Sequence, residues 1–158
     1  MSDKNTAKFC LESLIKAGAQ KAQCLLVKSA KHELNVEAGK ISLLRTTFNT
    51  EIRLTAIKDK RRGETTLNGD EKSTIEKAAK NAVEFTQASP QDESYDVSEN
   101  QPARLFDNGL VAPDTGKMFE RLEEYLLRSK KLYPKTIQEQ SILSFTRTTE
   151  YLLNSNGV

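Results

Sequence analysis

The period of the hydrophobic pattern changes near residue 20, and this change constrains the fold more than any single motif. The first apolar residues recur at helical spacing: Ala7, Leu11, Leu14 and Ile15. Gly18 follows them, at a position where helices commonly end, so we expect a helix over about 5–17. From Ala22 to Leu67 the pattern changes to that of β-strands, which we expect over about 22–27, 34–38, 41–45, 50–56 and 63–67. The turns at Ala38–Lys40 and Asp59–Gly63 are short. Strands joined by short turns pair antiparallel, so the sheet is at least partly antiparallel.

The rest of the chain is predicted from helix-breaking residues and from apolar residues that recur at helical spacing. A second helix is expected from Asp70, as N-cap, to about Ala88. Its predicted buried stripe comprises Ile75, Ala78, Ala79, Ala82 and Phe85. Residues 89–113 contain three prolines and few apolar side chains, which is typical of an extended connector. A third helix is expected over about 114–132, before Pro134. Two strands, 141–147 and 150–154, are expected to form a hairpin near Thr148–Thr149.

These elements predict an α+β fold, in which a mostly antiparallel sheet is flanked by helices. We expect an N-terminal α+β domain over 1–88, a connector over 89–113 and the start of a second α+β domain over 114–158. The final hairpin would begin a sheet without further strands, and Asn156–Gly157 after it favours a turn. We therefore expect the second domain to be truncated.

Composition and charge restrict the class of protein. The 158 residues carry 24 basic and 22 acidic side chains, a net charge of +2, and this weak excess argues against nucleic acid as a partner. The polar N-terminus does not resemble a signal peptide, and no apolar run reaches the roughly 18 residues of a membrane span. We predict a soluble, cytoplasmic protein without a membrane partner.

Cys10 and Cys24 fall in apolar segments and are expected to be buried free thiols.

Catalytic and metal-binding patterns are missing from the sequence. His32 is the single histidine, and although Glu33 follows it, a zinc helix needs a second histidine one turn away. The carboxylates of Asp92, Glu93, Asp96 and Glu99 lie in the predicted connector, where we expect them to be solvated. A serine or cysteine nucleophile would need a base, and only His32 is available. We therefore predict no catalytic, cofactor-binding or metal-binding residues in this chain.

One basic run remains as a candidate interaction patch, formed by Lys58, Lys60, Arg61 and Arg62. Such a run could bind an acidic peptide or nucleic acid. It lies in a predicted hairpin turn, where basic side chains are commonly solvated, and no neighbouring aromatic residue offers a stacking surface.

Several segments, taken in order, resemble the TldD/PmbA family, whose members are also called modulators of DNA gyrase. A helix ending at Gly18 leads into a strand, and Leu34–Ile41 contains a Gly-Lys turn. Glu51–Asn68 then contains a strand, a basic turn and a small polar strand, and Ala88–Pro90 ends the next helix. Leu152–Gly157 is similar to the family's hydrophobic strand ending in Asn-Ser-x-Gly. The Lys-Arg-Arg-Gly turn and this ending favour the PmbA-like branch, which lacks the metal.

The resemblance implies part of a two-subunit, heterodimeric metallopeptidase that degrades unfolded peptides in the cytoplasm. In that family one subunit holds zinc on a helix beyond the region matched here, and its sister subunit does not. The chain would be an N-terminal, non-catalytic portion, inactive alone, with a structural role in the chamber and in pairing with a sister subunit or with itself. Two alternatives stay open: an adaptor domain that binds peptides at a sheet edge, and a nucleic-acid module that uses residues 58–62.

Overall fold

A computed structural model describes residues 2–157 and contains three helices and four strands in that range. In chain order the elements are α1 (Asp3–Lys16), β1 (Lys21–Glu37), β2 (Lys40–Lys58), β3 (Arg61–Asn68), α2 (Lys72–Ala88), α3 (Thr115–Leu132) and β4 (Gln140–Asn154). The strands form one sheet in the order β3-β2-β1-β4. β2 and β3 pair antiparallel from Glu51↔Asn68 to Lys58↔Arg61. The predicted α+β class with an antiparallel sheet is confirmed.

The strands are fewer and longer than predicted. β1 runs without a break through the two strands expected over 22–27 and 34–38, and β2 likewise merges the two strands expected over 41–45 and 50–56. The predicted hairpin at 141–154 is wrong, because β4 is a single strand of 15 residues. Thr148 and Thr149, where the turn was expected, are β-branched residues that favour extended backbone, and neither is a typical turn residue.

The first of two compact units contains the chain up to Lys28, Asn49–Phe106 and the residues from Thr149 onward. Its core comprises Ala7, Cys10 and Leu14 of α1, Ala22, Cys24 and Leu26 of β1, Ile52, Leu54 and Ala56 of β2, and Ile75, Ala78, Ala79 and Ala82 of α2. Gly63 of β3 lets α2 lie directly on the sheet. A Cβ atom at this position would overlap the carbonyl oxygen of Ala82 and lie 2.8 Å from the Thr86 nitrogen.

Two details of α2 differ from the prediction. The helix begins at Lys72 with Glu71 at the N-cap position, and Asp70 instead accepts a hydrogen bond from Lys28 Nζ at 3.3 Å. Phe85 is 52% exposed, whereas Val83 and Thr86 are buried. At about 100° per residue, Phe85 lies roughly 90° from the centre of the buried stripe, which places it at the margin of that stripe.

The second unit contains Ser29–Phe48 and Asp107–Thr148. Its buried apolar cluster is small, with Leu34 and Val36 of β1 and Leu122 of α3, and partly buried residues surround it: Ile41, Met118, Leu126 and Leu143. Leu122 is the only buried residue of α3. This grouping differs from the predicted division into 1–88, 89–113 and 114–158, because β1, β2 and β4 are long enough to contribute to both units.

The first part of the predicted connector is held in place rather than extended freely. Gln91 forms a β-bridge with Arg61, and the Asp92 amide donates to the carbonyl oxygen of Lys60 at 2.8 Å. Val97 is buried, and Asn154 Nδ2 donates to the carbonyl oxygen of Ser98 at 3.0 Å. Residues 99–112 are exposed throughout. None of the helices in the described part of the chain is long and apolar enough to cross a membrane.

Candidate functional site

The basic run lies in a tight hairpin, not in the longer turn predicted over 59–63. Lys58 ends β2, Asp59 and Lys60 form the two-residue turn, and Arg61 begins β3. Asp59 and Lys60 have φ values of 51° and 56°, in the left-handed region that the type I′ turn of a two-residue hairpin requires. Gln20 fixes the turn, since its Nε2 donates to Asp59 Oδ1 and its Oε1 accepts from the Asp59 amide, both at 2.9 Å.

The two arginines of the run have structural partners. Arg61 donates to the carbonyl oxygen of Ser89, at the end of α2, and Arg62 pairs with the carboxylate of Glu64. Ser89 Oγ in turn donates to the carbonyl oxygen of Arg62 at 2.5 Å. These contacts tie the start of β3 to the end of α2, so the guanidinium groups are not simply solvated.

The two lysines are not ion-paired with any side chain of residues 2–157. Asp96 accepts two hydrogen bonds from Lys21 Nζ, at 2.5 and 2.6 Å. The Lys21 hydrogen bond, followed by that of the Val97 amide and with a smaller contribution from the charge of Lys60, holds the pKa of Asp96 below its usual value. Carboxylates of Asp59, Glu64 and Asp96 thus lie near parts of the basic run. Its role as an interaction patch stays a prediction.

His32 has no metal-site geometry around it. Its Nδ1 lies 3.0 Å from Thr46 Oγ1, and its ring centroid lies 6.4 Å from that of Phe145. Among residues 2–157, no group of three or more His, Cys, Asp or Glu side chains is arranged to hold a metal ion.

Glu33 is a buried carboxylate that the sequence analysis did not identify. It is 2% exposed and forms ion pairs of 2.8 Å with Lys31 and with Arg45. The hydrogen bonds from Lys31 and then Arg45 lower the pKa of Glu33, so the carboxylate is ionised at neutral pH. Finding this site from sequence would require the register of β1 against β2, which brings Arg45 back to Glu33.

Cys10 and Cys24 are both buried and free, at the contact between α1 and β1. A hydrogen bond with Cys10, together with burial, raises the pKa of the Cys24 thiol. The thiolate is the nucleophilic form, so Cys24 is unreactive at neutral pH while the core stays closed.

Two cavities lie in the second unit. One, of about 550 Å³, is lined by Glu37, Gln138, Glu139 and Gln140. The other, of about 260 Å³, is lined by the Ala38–Gly39 turn with Lys40, by the end of α3 and by residues 134–138. Neither lining includes a histidine or a cysteine.

No family model matches the sequence, and no curated protein matches it significantly. Solved structures match the fold over nearly the whole chain. TldE from Thermococcus kodakarensis superposes with a TM-score of 0.73 at 19% identity, over 96% of this chain and 35% of its own. A candidate modulator of DNA gyrase from Thermotoga maritima gives a TM-score of 0.70 at 10% identity, over 98% and 36%. Another, from Bacteroides thetaiotaomicron, gives 0.65 at 20% identity, over 99% and 37%.

The chain thus spans about a third of the length of these solved structures. The resemblance to TldD/PmbA proteins is confirmed at the level of the fold.

Proposed function

We propose that the chain is the N-terminal, non-catalytic portion of a TldD/PmbA-type metallopeptidase subunit, with a structural role in the chamber and in subunit pairing. Its partner would be a sister subunit or a second copy, and the substrates of the intact, cytoplasmic assembly would be unfolded peptides. Zinc would be held only by the catalytic subunit, where it would activate water for peptide hydrolysis.

The observation that carries the proposal is the agreement in fold with TldE over 96% of the chain. The matched region is 35–37% of each longer structure, as expected if this fold is one portion of a larger subunit. The charges of the described residues add support. The buried Glu33 and the arginines of the basic run already have partners in the fold, which is typical of a structural element.

The test combines metal analysis, a peptidase assay and a binding assay. The purified, tag-free chain should contain no stoichiometric zinc and leave unfolded casein intact, because no three His, Cys, Asp or Glu side chains of residues 2–157 converge as zinc ligands. Mixed with a zinc-containing TldD-type subunit, it should co-elute in size-exclusion chromatography. About one zinc per chain with chelator-sensitive cleavage of casein would contradict the non-catalytic role. Separate elution of the two proteins would contradict the pairing role.

One observation favours the adaptor alternative: within residues 2–157 no strand pairs with the 40–49 part of β2 on its β3 side, and an extended peptide could add there as a strand. Titration of the chain with fluorescently labelled, unfolded peptides would detect this function. Saturable binding without any sister subunit would favour the adaptor over the assembly component.

A further inference from the structure

Three asparagines in the sequence are followed directly by glycine: Asn68, Asn108 and Asn156. In such a pair the backbone nitrogen of the glycine can attack the side-chain carbonyl carbon of the asparagine, because glycine has no Cβ atom to hinder the approach. The reaction requires a backbone that can bring these two atoms together. The fold places the three pairs in different surroundings, so their reactivity should differ.

The pair Asn68–Gly69 is held at the end of β3. Asn68 lies opposite Glu51 in the ladder with β2, and the Gly69 amide donates a hydrogen bond of 2.9 Å to the carbonyl oxygen of Thr50. That bond occupies the nitrogen that would have to act as the nucleophile. Attack on the Asn68 side chain therefore requires local opening of the β2–β3 ladder.

The pair Asn156–Gly157 is held through its side chain and its backbone. Asn156 Nδ2 donates to the carbonyl oxygen of Ser98 at 3.1 Å, and the Asn156 amide donates to Asn154 Oδ1 at 2.9 Å. The Gly157 amide donates to the carbonyl oxygen of Asn154 at 3.3 Å. Both reacting groups are thus bonded elsewhere, and this pair too must open before it can react.

The pair Asn108–Gly109 lies in the exposed segment 99–112. Within residues 2–157 neither the Asn108 side chain nor the Gly109 amide makes a hydrogen bond. No bond of the fold has to break before the glycine nitrogen approaches the side chain, in contrast to the other two pairs.

We propose that Asn108 is a site of spontaneous deamidation, and that it reacts faster than Asn68 and Asn156 because the fold protects those two. A bond forms between the Gly109 nitrogen and Asn108 Cγ, and the side-chain nitrogen leaves as ammonia with the proton of the Gly109 amide. The product of this step is a five-membered succinimide. Water then adds to one of the two ring carbonyls and opens the ring, which leaves aspartate or isoaspartate at position 108.

The reaction changes both the charge and the backbone of a segment that Arg147 holds. Arg147 donates to Asp107 Oδ1 at 3.0 Å and to the carbonyl oxygen of Leu110 at 3.1 Å, on either side of the reacting pair. The new carboxylate lowers the formal net charge of +2 by one and lies next to Asp107 in the chain. Isoaspartate also lengthens the main chain by one methylene group between these two contacts. The proposal does not depend on the proposed structural role of the chain.

The three pairs can be followed separately, because trypsin places them on different peptides: 63–72, 105–117 and 148–158. Folded protein is incubated at neutral pH in heavy-oxygen water, which labels only the rings that open during the incubation. Mass spectrometry then gives the fraction of each peptide that has been converted. Peptide 105–117 should convert first, and the other two at least about tenfold more slowly, because each needs local opening.

Protein unfolded in urea is the reference for the effect of the fold. Without the fold the three peptides should convert at similar rates, because each asparagine is followed by the same residue. A tenfold difference that persists in urea would overturn the proposal, since the fold would then not be its cause. Equal rates in the folded protein, or a faster rate at Asn68 or Asn156, would overturn it as well.

Asn108→Gln is the matched variant, because the exposed Asn108 side chain has no partner to lose and glutamine would have to form a larger, slower ring. A protein isoaspartate methyltransferase with labelled methyl donor serves as the probe for isoaspartate. It should methylate aged wild type several-fold more than aged Asn108→Gln. Equal methylation of the two proteins would overturn the assignment to Asn108.

Discussion

At the scale of single residues, Gly63 sets how closely α2 approaches the sheet. A Cβ atom there would overlap the backbone of Ala82, and backbone cannot rotate away as a side chain would. We expect Gly63→Ala to destabilise the protein by about 1–3 kcal/mol, the usual range for overpacking, measured by urea unfolding.

Gly116→Ala is the matched control for this prediction. A Cβ atom at Gly116 would meet only Asp114 Oδ1, at 3.5 Å, and the residue lies in the first turn of α3. Its alanine variant should be neutral or up to about 1 kcal/mol more stable, because alanine favours helix. Equal effects of the two substitutions would mean that α2 does not lie on β3 as described.

The ion pairs of Glu33 predict that the unfolding free energy depends on pH. Its pKa in the folded state is lowered by Lys31 and Arg45, so its contribution to stability is present above the unfolded-state pKa of about 4.3 and is lost as the pH falls through the lower, folded-state pKa. Glu33→Gln should lower stability at neutral pH and flatten the acid side of the curve of unfolding free energy against pH. Glu37→Gln, at an exposed position, should leave that curve as in wild type. Superimposable curves for all three proteins would contradict the buried ion pairs.

At the scale of elements, the sequence predicted the helices well and the extent of the strands poorly. The predicted bounds of α3 were correct to within one residue, because Asp114 before it and Pro134 after it are local signals. Asp114 Oδ1 accepts a hydrogen bond from the Lys117 amide at 2.9 Å, so it caps the helix. β4 continues through polar, largely exposed residues at 146–149, so its length reflects its place beside β1 in the sheet and not its own apolar pattern. A pattern read along one strand does not contain that information.

The contacts of residues 89–98 determine where a protease should cut the predicted connector first. An extended connector was predicted over 89–113, but Gln91, Asp92 and Val97 are bonded or buried. A glutamate-specific protease offers a direct comparison, because Glu93 lies in the held part and Glu99 in the exposed part. Cleavage after Glu99 should precede cleavage after Glu93, as followed by mass spectrometry, since proteases need locally mobile backbone. Cleavage after Glu93 at an equal rate would contradict the anchoring.

At the scale of the whole molecule, the net charge and the position of the basic run bear on nucleic acid binding. Arg61 and Arg62 contact Ser89 and Glu64, so replacing these two arginines would also disturb the fold. Lys58→Ser with Lys60→Ser is therefore the appropriate variant. It should fold like wild type, and neither protein should bind duplex DNA at physiological salt in fluorescence anisotropy. Binding by wild type with a steep salt dependence, lost in the variant, would favour the nucleic-acid alternative.

The sequence also predicts a candidate site only when its residues lie close together along the chain. The zinc-helix motif is local, so the sequence can be searched for it by its histidines alone. The buried Glu33 and the unpaired edge of β2 over 40–49 could not be predicted, because both arise from which residues lie opposite each other across strands. The edge becomes visible only when β3 is seen to end opposite Glu51.

The position of Cys10 and Cys24 has a consequence for measurement. They are the only cysteines in the sequence, and both lie in the core of the first unit, where α1 covers β1. A thiol reagent can reach them only when that core opens, so the rate of labelling reports the frequency of opening. The second unit contains no thiol, and its fluctuations do not label directly. Labelling of Cys10 and Cys24 therefore measures local opening of the first unit without a contribution from local opening of the second.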